Sequence, residues 1–373
     1  MKILHFSDVG LPDTRVERAA LYSKMKGWDV VFAGGRPPQN QIFGVFEKVY
    51  YRHWGPYEKT GFFGTLHKIR DWLRWLIREE EPDLIHAHDL FAAKVALDVG
   101  HPFVYDDHEI WGSRITYQGS DVIKRNRTIT RRLATRFAFY NWRKWDAQLI
   151  QSSPIITVSK QFAQLYRRKN QLVYVIPNVP TQQEVELIPP NENIDDEFRI
   201  AIVSRDQLPL NQRPDKKTLE LWLQNRFGAS LVFIGYPVIH TEEVINVGYV
   251  THQKMLQVFS TCDAALLGKW TRRPVYSIQN RFSLFLHAGL KSIVPTTKPT
   301  EVEFCKEHDV GWSWASIGEL KTRIQQLTRN YFADVDSWNK EKLRVRKVAQ
   351  RFLLWSHYGG QLEQAYKAAQ SKR

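Results

Sequence analysis

Residues 2–33 read KILHFSDVGLPDTRVERAALYSKMKGWDVVFA. Ile3 to Phe6 is an apolar run of strand length. Gly10 and Pro12 mark the loop that follows it. From Arg15 to Lys26 the small and apolar residues Val16, Ala19, Ala20 and Ser23 recur at helical spacing, and Gly27 stops the helix. Asp29 to Ala33 is a second strand. Strand, helix and strand within about thirty residues form a β-α-β unit, which predicts a parallel sheet.

The alternation continues outward from that unit. Leu66 to Glu80 has an amphipathic helical pattern, Asp83 to His86 reads as a strand, Phe91 to Val99 as a helix and Phe103 to Tyr105 as a strand. Ile155 to Val158 and Val173 to Ile176 are strands flanking a helix from Lys160 to Arg168. Between Thr181 and Glu197 the composition shifts to Gln, Asn and acidic residues around Pro189-Pro190, the pattern of a linker. A second series follows: strands at Arg199–Val203, Leu231–Ile234, Ile245–Val247, Ala264–Leu267 and Ser292–Pro295, with helices near Lys217–Phe227, His252–Ser260 and Arg281–Ala288. The expected architecture is α/β: two doubly wound, Rossmann-like domains facing across a cleft. The first covers residues 1–180, residues 181–197 link it to the second, and the second covers residues 198–345. In such sheets ligands sit at the carboxyl ends of the strands.

Composition bounds the function. The chain has 373 residues, 43% hydrophobic and 25% charged. That excludes a disordered chain and allows two hydrophobic cores. Two cysteines, Cys262 and Cys305, build no disulfide framework and suit a reducing cytoplasm. No run approaches the roughly 20 apolar residues of a membrane span, and the polar Ser7-Asp8 makes the N-terminus read as a strand and not a leader. The net charge of +14, from 53 Lys and Arg against 39 Asp and Glu, points to a partner bearing phosphate. The most basic stretch, Lys124 to Lys144, holds Arg132, Arg136 and Arg143 among Phe137, Tyr140, Trp142 and Trp145. It fits an anionic membrane surface. No nucleic-acid-binding signature accompanies the charge, so nucleic acid is not an expected partner.

Four segments carry chemistry at strand ends or helix starts. They are Asp13-Thr14-Arg15-Val16; His86-Ala87-His88-Asp89; Tyr105-Asp106-Asp107-His108-Glu109; and Val158-Ser159, leading on to Pro177-Asn178-Val179-Pro180. In this order they resemble family 4 glycosyltransferases of the GT-B fold (group 1 glycosyltransferases). The resemblance covers the N-terminal half and continues more weakly to about residue 305. It implies transfer of a sugar from a nucleotide-activated donor (UDP-, GDP- or ADP-linked) to a glycan, lipid-linked or protein acceptor. It further implies retention, an oxocarbenium-like transition state, a nucleotide-sugar co-substrate in place of a bound cofactor, and no obligatory metal. His108 matches the strand-end histidine that faces the donor sugar. Gly10 lies in the first loop, where bare backbone can approach phosphate. Arg205, with Lys216 or Lys217 (or Arg213) nearby, resembles the cations that grip the diphosphate. Gly248 and Tyr249 fall in the segment resembling the base pocket, and Asn280 and Arg281 in the donor-binding segment. Asp13, Arg15, His88, Asp106 and Glu109 are acceptor-side or structural residues. Residues 346–373 are expected to cross back onto the first domain, as in the family.

Two positions depart from the family pattern. Leu284 stands where a carboxylate ordinarily accepts hydrogen bonds from ribose, and Tyr276, eight residues earlier, stands where its partner would be. Ser204 replaces a glycine before Arg205. Two alternatives follow: a non-catalytic GT-B protein acting as a scaffold or glycan binder, and a GT-B sugar-nucleotide epimerase. His86, His88, Asp106 and His108 also have the residue types of a metal cluster, but no further ligand set accompanies them. Asp89 is a candidate helix cap, Arg15 a candidate ion-pair partner of Asp13 or Asp8, and Asp334-Val335-Asp336 a solvated helix edge.

Overall fold

A computed structural model describes residues 1–54, 66–108, 129–189, 197–203, 229–235, 244–267 and 276–371. The chain divides into two compact units. Unit 1 is Met1–Pro177 together with Tyr358–Arg373, and unit 2 is Asn178–His357.

Unit 1 contains β1 (Lys2–Ser7), α1 (Thr14–Met25), β2 (Asp29–Gly34), β3 (Lys48–Tyr51), α2 (His67–Glu80), β4 (Leu84–His88), α3 (Asp89–Val99), β5 (Phe103–Asp107), α4 (Ile129–Ser152), β6 (Ile155–Thr157), α5 (Lys160–Arg167) and β7 (Val173–Val175). Its seven-stranded sheet has the order β3-β2-β1-β4-β5-β6-β7. Every pairing is parallel. The order reverses between β1 and β4, the topological switch point at which ligands bind in open α/β sheets. The inner strands are buried on both faces, because helices cover both sides of a parallel sheet. Phe6, Leu73, Ile85, Ala87, Tyr105 and Ile155 belong to its main core.

Unit 2 contains α6 (Gln182–Glu186), β8 (Arg199–Val203), β9 (Ser230–Ile234), β10 (Val244–Gly248), α7 (His252–Phe259), β11 (Ala264–Leu266), α8 (Asn280–His287), β12 (Lys291–Pro295), α9 (Pro299–His308), β13 (Gly311–Trp314), α10 (Ile317–Ala333) and α11 (Val335–Phe352). Its six strands run β10-β9-β8-β11-β12-β13, again parallel throughout. Phe198, Ile200, Phe233, Ile293 and Leu327 anchor the core.

The structure redraws three expected boundaries. The linker expected over 181–197 begins as a helix: Thr181 caps α6 and Glu184 returns the bond to the Thr181 backbone, a reciprocal capping box. These residues fall in unit 2. The segment expected to cross back, 346–373, is also divided. Val345 and Ala349 on α11 are fully buried, and α11 packs on α8 within unit 2. Only Tyr358 onward, forming α12 (Gly359–Gln370), joins unit 1, where it contacts β4, β5, β6 and β7. Finally, the aromatic-rich stretch that follows β2, where no element was expected, contains β3. Tyr50 donates to Glu80, and Lys2 and Lys48 also hold that carboxylate. Trp54 is buried against Phe6.

Candidate functional site

The carboxyl ends of β1, β4 and β5 bring charged and imidazole groups together in the core of unit 1. Strand alternation puts His86 and His88 on one side of β4, and their rings stack with centroids 4.2 Å apart. Asp106, one strand over, pairs in register with His88. Arg15 reaches in from the first turn of α1. Its Nε and Nη2 grip Asp106 at 2.6 to 3.1 Å, and its Nη1 donates to the Ile176 carbonyl at 2.9 Å. A forked pairing of this kind is among the stronger protein ion pairs. Asp106 is therefore Arg15's carboxylate partner among the described residues, in place of Asp13 or Asp8. Asp13 does local work instead. It caps α1, accepting from the backbone of Arg15 and Val16 at 3.0 and 3.3 Å.

Asp106 is the hub of the cluster. Its Oδ2 lies 3.3 Å from His86 Nε2 and 3.5 Å from His88 Nδ1. Burial alone would favour the neutral acid, but the Arg15 guanidinium and the two histidines hold its pKa well below the usual carboxylate range. Burial pushes the other way on the imidazoles. His5 is well below its ordinary value, His86 is lowered, and His88 is pushed down to about 3. Three neutral imidazoles thus surround one ionised, arginine-bound carboxylate. His5 Nδ1 meets His88 Nε2 at 3.1 Å.

His108 lies at the rim. Its Nε2 is 3.3 Å from Asp89 Oδ2 without an aligned hydrogen bond. Burial opposes its charge, but the Asp89 and Asp106 carboxylates outweigh burial and raise its pKa. Asp89 is the first helical residue of α3 and not its cap; the cap position is His88, whose side chain makes no capping bond. Asp89 has a φ of 65°. That left-handed conformation is uncommon outside glycine and costs about 1–3 kcal/mol, which makes the turn from β4 into α3 a candidate for functional strain.

The first loop adds a pocket of about 430 Å³ whose lining includes Gly10, Pro12, Asp13, Arg36 and Gln39. A Cβ on Gly10 would lie 2.9 Å from the Arg36 carbonyl oxygen. The bare backbone therefore serves close chain packing at this wall.

Two groups have the donors of a metal centre: His5, His86 and His88, and His88, Asp106 and His108. In the first, the near-parallel rings of His86 and His88, at 19°, direct their in-plane lone pairs past each other and not toward a shared ion. In the second, the rings of His88 and His108 cross at 76° and could converge, but Asp106 is already engaged by Arg15. The residue types suit a metal better than their arrangement does.

In unit 2, Arg281 in the first turn of α8 donates to the Val203 carbonyl at 2.6 Å, at the carboxyl end of β8. Asn280 is the first residue of that helix. Gly248 has a φ of 77°, a conformation suited to glycine. Tyr249 beside it is largely exposed. Leu284 is fully buried, and the neighbouring Ser283 hydroxyl points at the Leu353 carbonyl, 3.4 Å away. Neither position offers ribose a carboxylate or a spare hydroxyl. Arg205, Arg213, Lys216, Lys217 and Glu109 lie outside the described residues. Asp334 caps α11 by accepting from the Ser337 backbone at 2.8 Å, and it remains exposed.

The sequence reading left His5, Asp89 and Tyr366 out of the candidate site residues. His5 carried a usable signal, a titratable group inside an otherwise apolar strand. Tyr366 carried none, since 280 residues separate it from His86.

Residues 14–179 match the sequence model of Glycosyltransferase Family 4. No curated protein matches the chain. Among solved structures, sucrose-phosphate synthase from Thermosynechococcus elongatus superposes with a TM-score of 0.72 at 14% identity, covering 100% of both chains. HepE from Anabaena, in complex with UDP and glucose, gives 0.68 at 13% identity over 97% of this chain and 98% of that one. WaaG, a glycosyltransferase involved in lipopolysaccharide biosynthesis, gives 0.63 at 11% identity over 98% of each. Such identities speak for the fold, and the family match speaks for the segment holding the histidine cluster. The chain has the GT-B fold of these glycosyltransferase structures, and its residues 14–179 resemble Glycosyltransferase Family 4.

Proposed function

We propose that the protein transfers a hexose-type sugar from a nucleotide-sugar donor to a glycan, lipid-linked or protein acceptor, with retention and without an obligatory metal. The observation that carries this reading is the buried Arg15–Asp106–histidine network, with His108 at its rim. It stands at the carboxyl ends of β4 and β5, beside the sheet's switch point. His108 is partly accessible and backed by two carboxylates, so it suits a hydrogen bond to the donor sugar beside the reacting carbon. Arg205, with Lys216 or Lys217, would neutralise the departing diphosphate. Asn280, Arg281, Gly248 and Tyr249 would frame the nucleotide, and Gly10's loop the phosphates. Structures with this fold have been solved with UDP-glucose and with ADP, which makes UDP and ADP the first donors to try, followed by GDP.

Thermal-shift measurements with UDP, GDP and ADP, free and sugar-linked, test this directly. Stabilisation by one nucleotide and release of that nucleotide from its sugar conjugate are expected. The anomeric configuration of the product, read by NMR, tests retention. Absence of a shift with every nucleotide would favour the non-catalytic alternative to which buried Leu284 points, and interconversion of the sugar without transfer would favour an epimerase.

The same proposal places the protein peripherally on the cytoplasmic face of a membrane. Ile129, Leu133 and Tyr140 on α4 are 74%, 58% and 67% exposed. With Phe137 they repeat at spacings of three and four, one helical stripe. Arg132, Arg136 and Arg143 border it, while Ala138, Trp145 and Leu149 on the same helix are buried. An outward face that is apolar with a basic margin suits anionic lipid. No helix among the described residues is long and apolar enough to cross a bilayer. Sedimentation with anionic but not zwitterionic vesicles is expected, and Leu133→Asp should abolish it. Equal sedimentation of Leu133→Asp and wild type would remove this assignment.

A further inference from the structure

We infer that Tyr366, on the last helix of the chain, is a positioning residue of the histidine–aspartate cluster: its hydroxyl selects one tautomer of His86 and so orders the groups around Asp106.

The argument is a proton count. Tyr366 is 1% exposed, and its oxygen lies 2.8 Å from His86 Nδ1. The two rings meet edge to face at 80°. On the other side of that imidazole, Nε2 faces Asp106 Oδ2 at 3.3 Å. A carboxylate only accepts, and a neutral imidazole carries one N–H and one lone pair. The N–H must therefore sit on Nε2, donating to Asp106. The lone pair sits on Nδ1, and the only compatible role for Tyr366 is to donate to it. The chain of bonds runs from the Tyr366 hydroxyl to His86, from His86 to Asp106, and from Arg15 to the same carboxylate. Turning His86 to the opposite tautomer would set a lone pair against the carboxylate and leave the phenol with no acceptor there.

The groups facing His86 are few. His5 comes from β1, with its ring 5.0 Å away, Arg15 from α1, His88 from β4 and Asp106 from β5. His108 follows β5, and Tyr366 comes from α12. Of these, Tyr366 is the one neutral hydrogen-bond donor on the Nδ1 side. Its own proton is firmly held, because burial and nearby Asp106 raise its pKa and the neighbouring Ser23 only partly offsets them. A donor on the bare nitrogen stabilises the neutral imidazole against the imidazolium. Without it, His86 would take a proton more readily, and the resulting cation would compete with Arg15 for Asp106.

The test uses the full-length protein and needs no substrate. Long-range proton–nitrogen NMR should show wild-type His86 neutral at pH 8, with Nε2 protonated and Nδ1 bare. Tyr366→Phe keeps the ring and removes only the hydroxyl. It should raise the His86 titration midpoint by about half to one pH unit, a three- to tenfold change in protonation equilibrium. A wild-type His86 protonated on Nδ1 overturns the inference even if the variant fails to fold. So does a folded Tyr366→Phe with an unchanged His86 titration, which would leave Tyr366 as packing alone. Its consequence for turnover rests on the sugar-transfer reading. With a working donor, Tyr366→Phe should lower kcat about fivefold, shift the acid limb of the kcat profile upward, and leave donor KM within twofold; an unchanged kcat profile removes the link to turnover. If wild type turns over no nucleotide sugar, the sugar-transfer reading fails, while the His86 spectra still decide the tautomer.

Discussion

The two sheets share one topology and load it differently. In both, three strands run outward on one side of a switch point and the rest on the other. At that point unit 1 buries Arg15, Asp106, His5, His86 and His88. The corresponding described part of unit 2 offers the Val203 carbonyl, bound by Arg281, and a fully buried Leu284. Topology fixes where a site can stand, and side chains decide what stands there. In unit 1 the chemistry is internal to the core, so site and stability are coupled. In unit 2 the described candidate residues Asn280 and Arg281 stand at a helix start, where substitution should cost less stability.

The sharpest way to break this contrast is to remove Arg15. Arg15→Ala leaves the Asp106 charge buried with only imidazoles beside it. It should destabilise the protein by about 3–5 kcal/mol in urea denaturation; a loss below 1 kcal/mol would mean that the cluster is solvated and not part of the core. Leu284→Glu is the reciprocal experiment in unit 2. Buried without a partner, the new carboxylate should cost about 3 kcal/mol. If the variant is stable and binds nucleotide more tightly, the position faces ligand after all, and the contrast between the sheets fails.

Substitutions at His108 and Arg205 should separate turnover from binding. His108→Ala should lower turnover about a hundredfold with little change in nucleotide affinity, while Arg205→Ala should weaken nucleotide binding roughly tenfold. Wild-type behaviour of both would remove the division of labour between the units. A separate effect is expected on pH dependence. Burial, then the neighbouring His86, pushes His88 from 6.5 down to about 3. Between these values the unfolded chain binds a proton that the native state refuses. Stability from neutral His88 is therefore fully present above pH 6.5 and lost as pH falls toward 3. In His88→Asn the difference in stability between pH 7 and pH 5 should shrink by about 2 kcal/mol, measured by urea denaturation at both values.

How much of this was legible in the sequence depended on range. Apolar runs at Ile3, Val30, Leu84 and Ile200 announced the inner strands because both faces of a parallel sheet are buried. The edge strand Lys48–Tyr51 was not recognised, since its residues are exposed or half-buried and it lies among loop-like aromatics. The helix at Gln182–Glu186 had a readable signal in Thr181 and Glu184, three residues apart, hidden by the polar composition around it. The strand-end motifs marked His88, Asp106 and His108 locally. The Arg15–Asp106 pair spans 91 residues and the Tyr366–His86 contact 280. No local pattern encodes such partners; only the completed sheet brings them together.

The return of Tyr358–Arg373 to unit 1 has a consequence for biosynthesis. Domains tend to fold as they leave the ribosome, the N-terminal one first. Here the first unit to emerge is the last to be completed, because one of its helices is translated after all of unit 2. Until then His86 lacks its phenol, and the α12 face of β4 to β7 stays uncovered. A ribosome that stops short of α12 would release a chain whose second unit is whole and whose first exposes apolar surface. Chaperones and proteases recognise such surface, so the order of synthesis itself withholds a finished histidine cluster from incomplete chains.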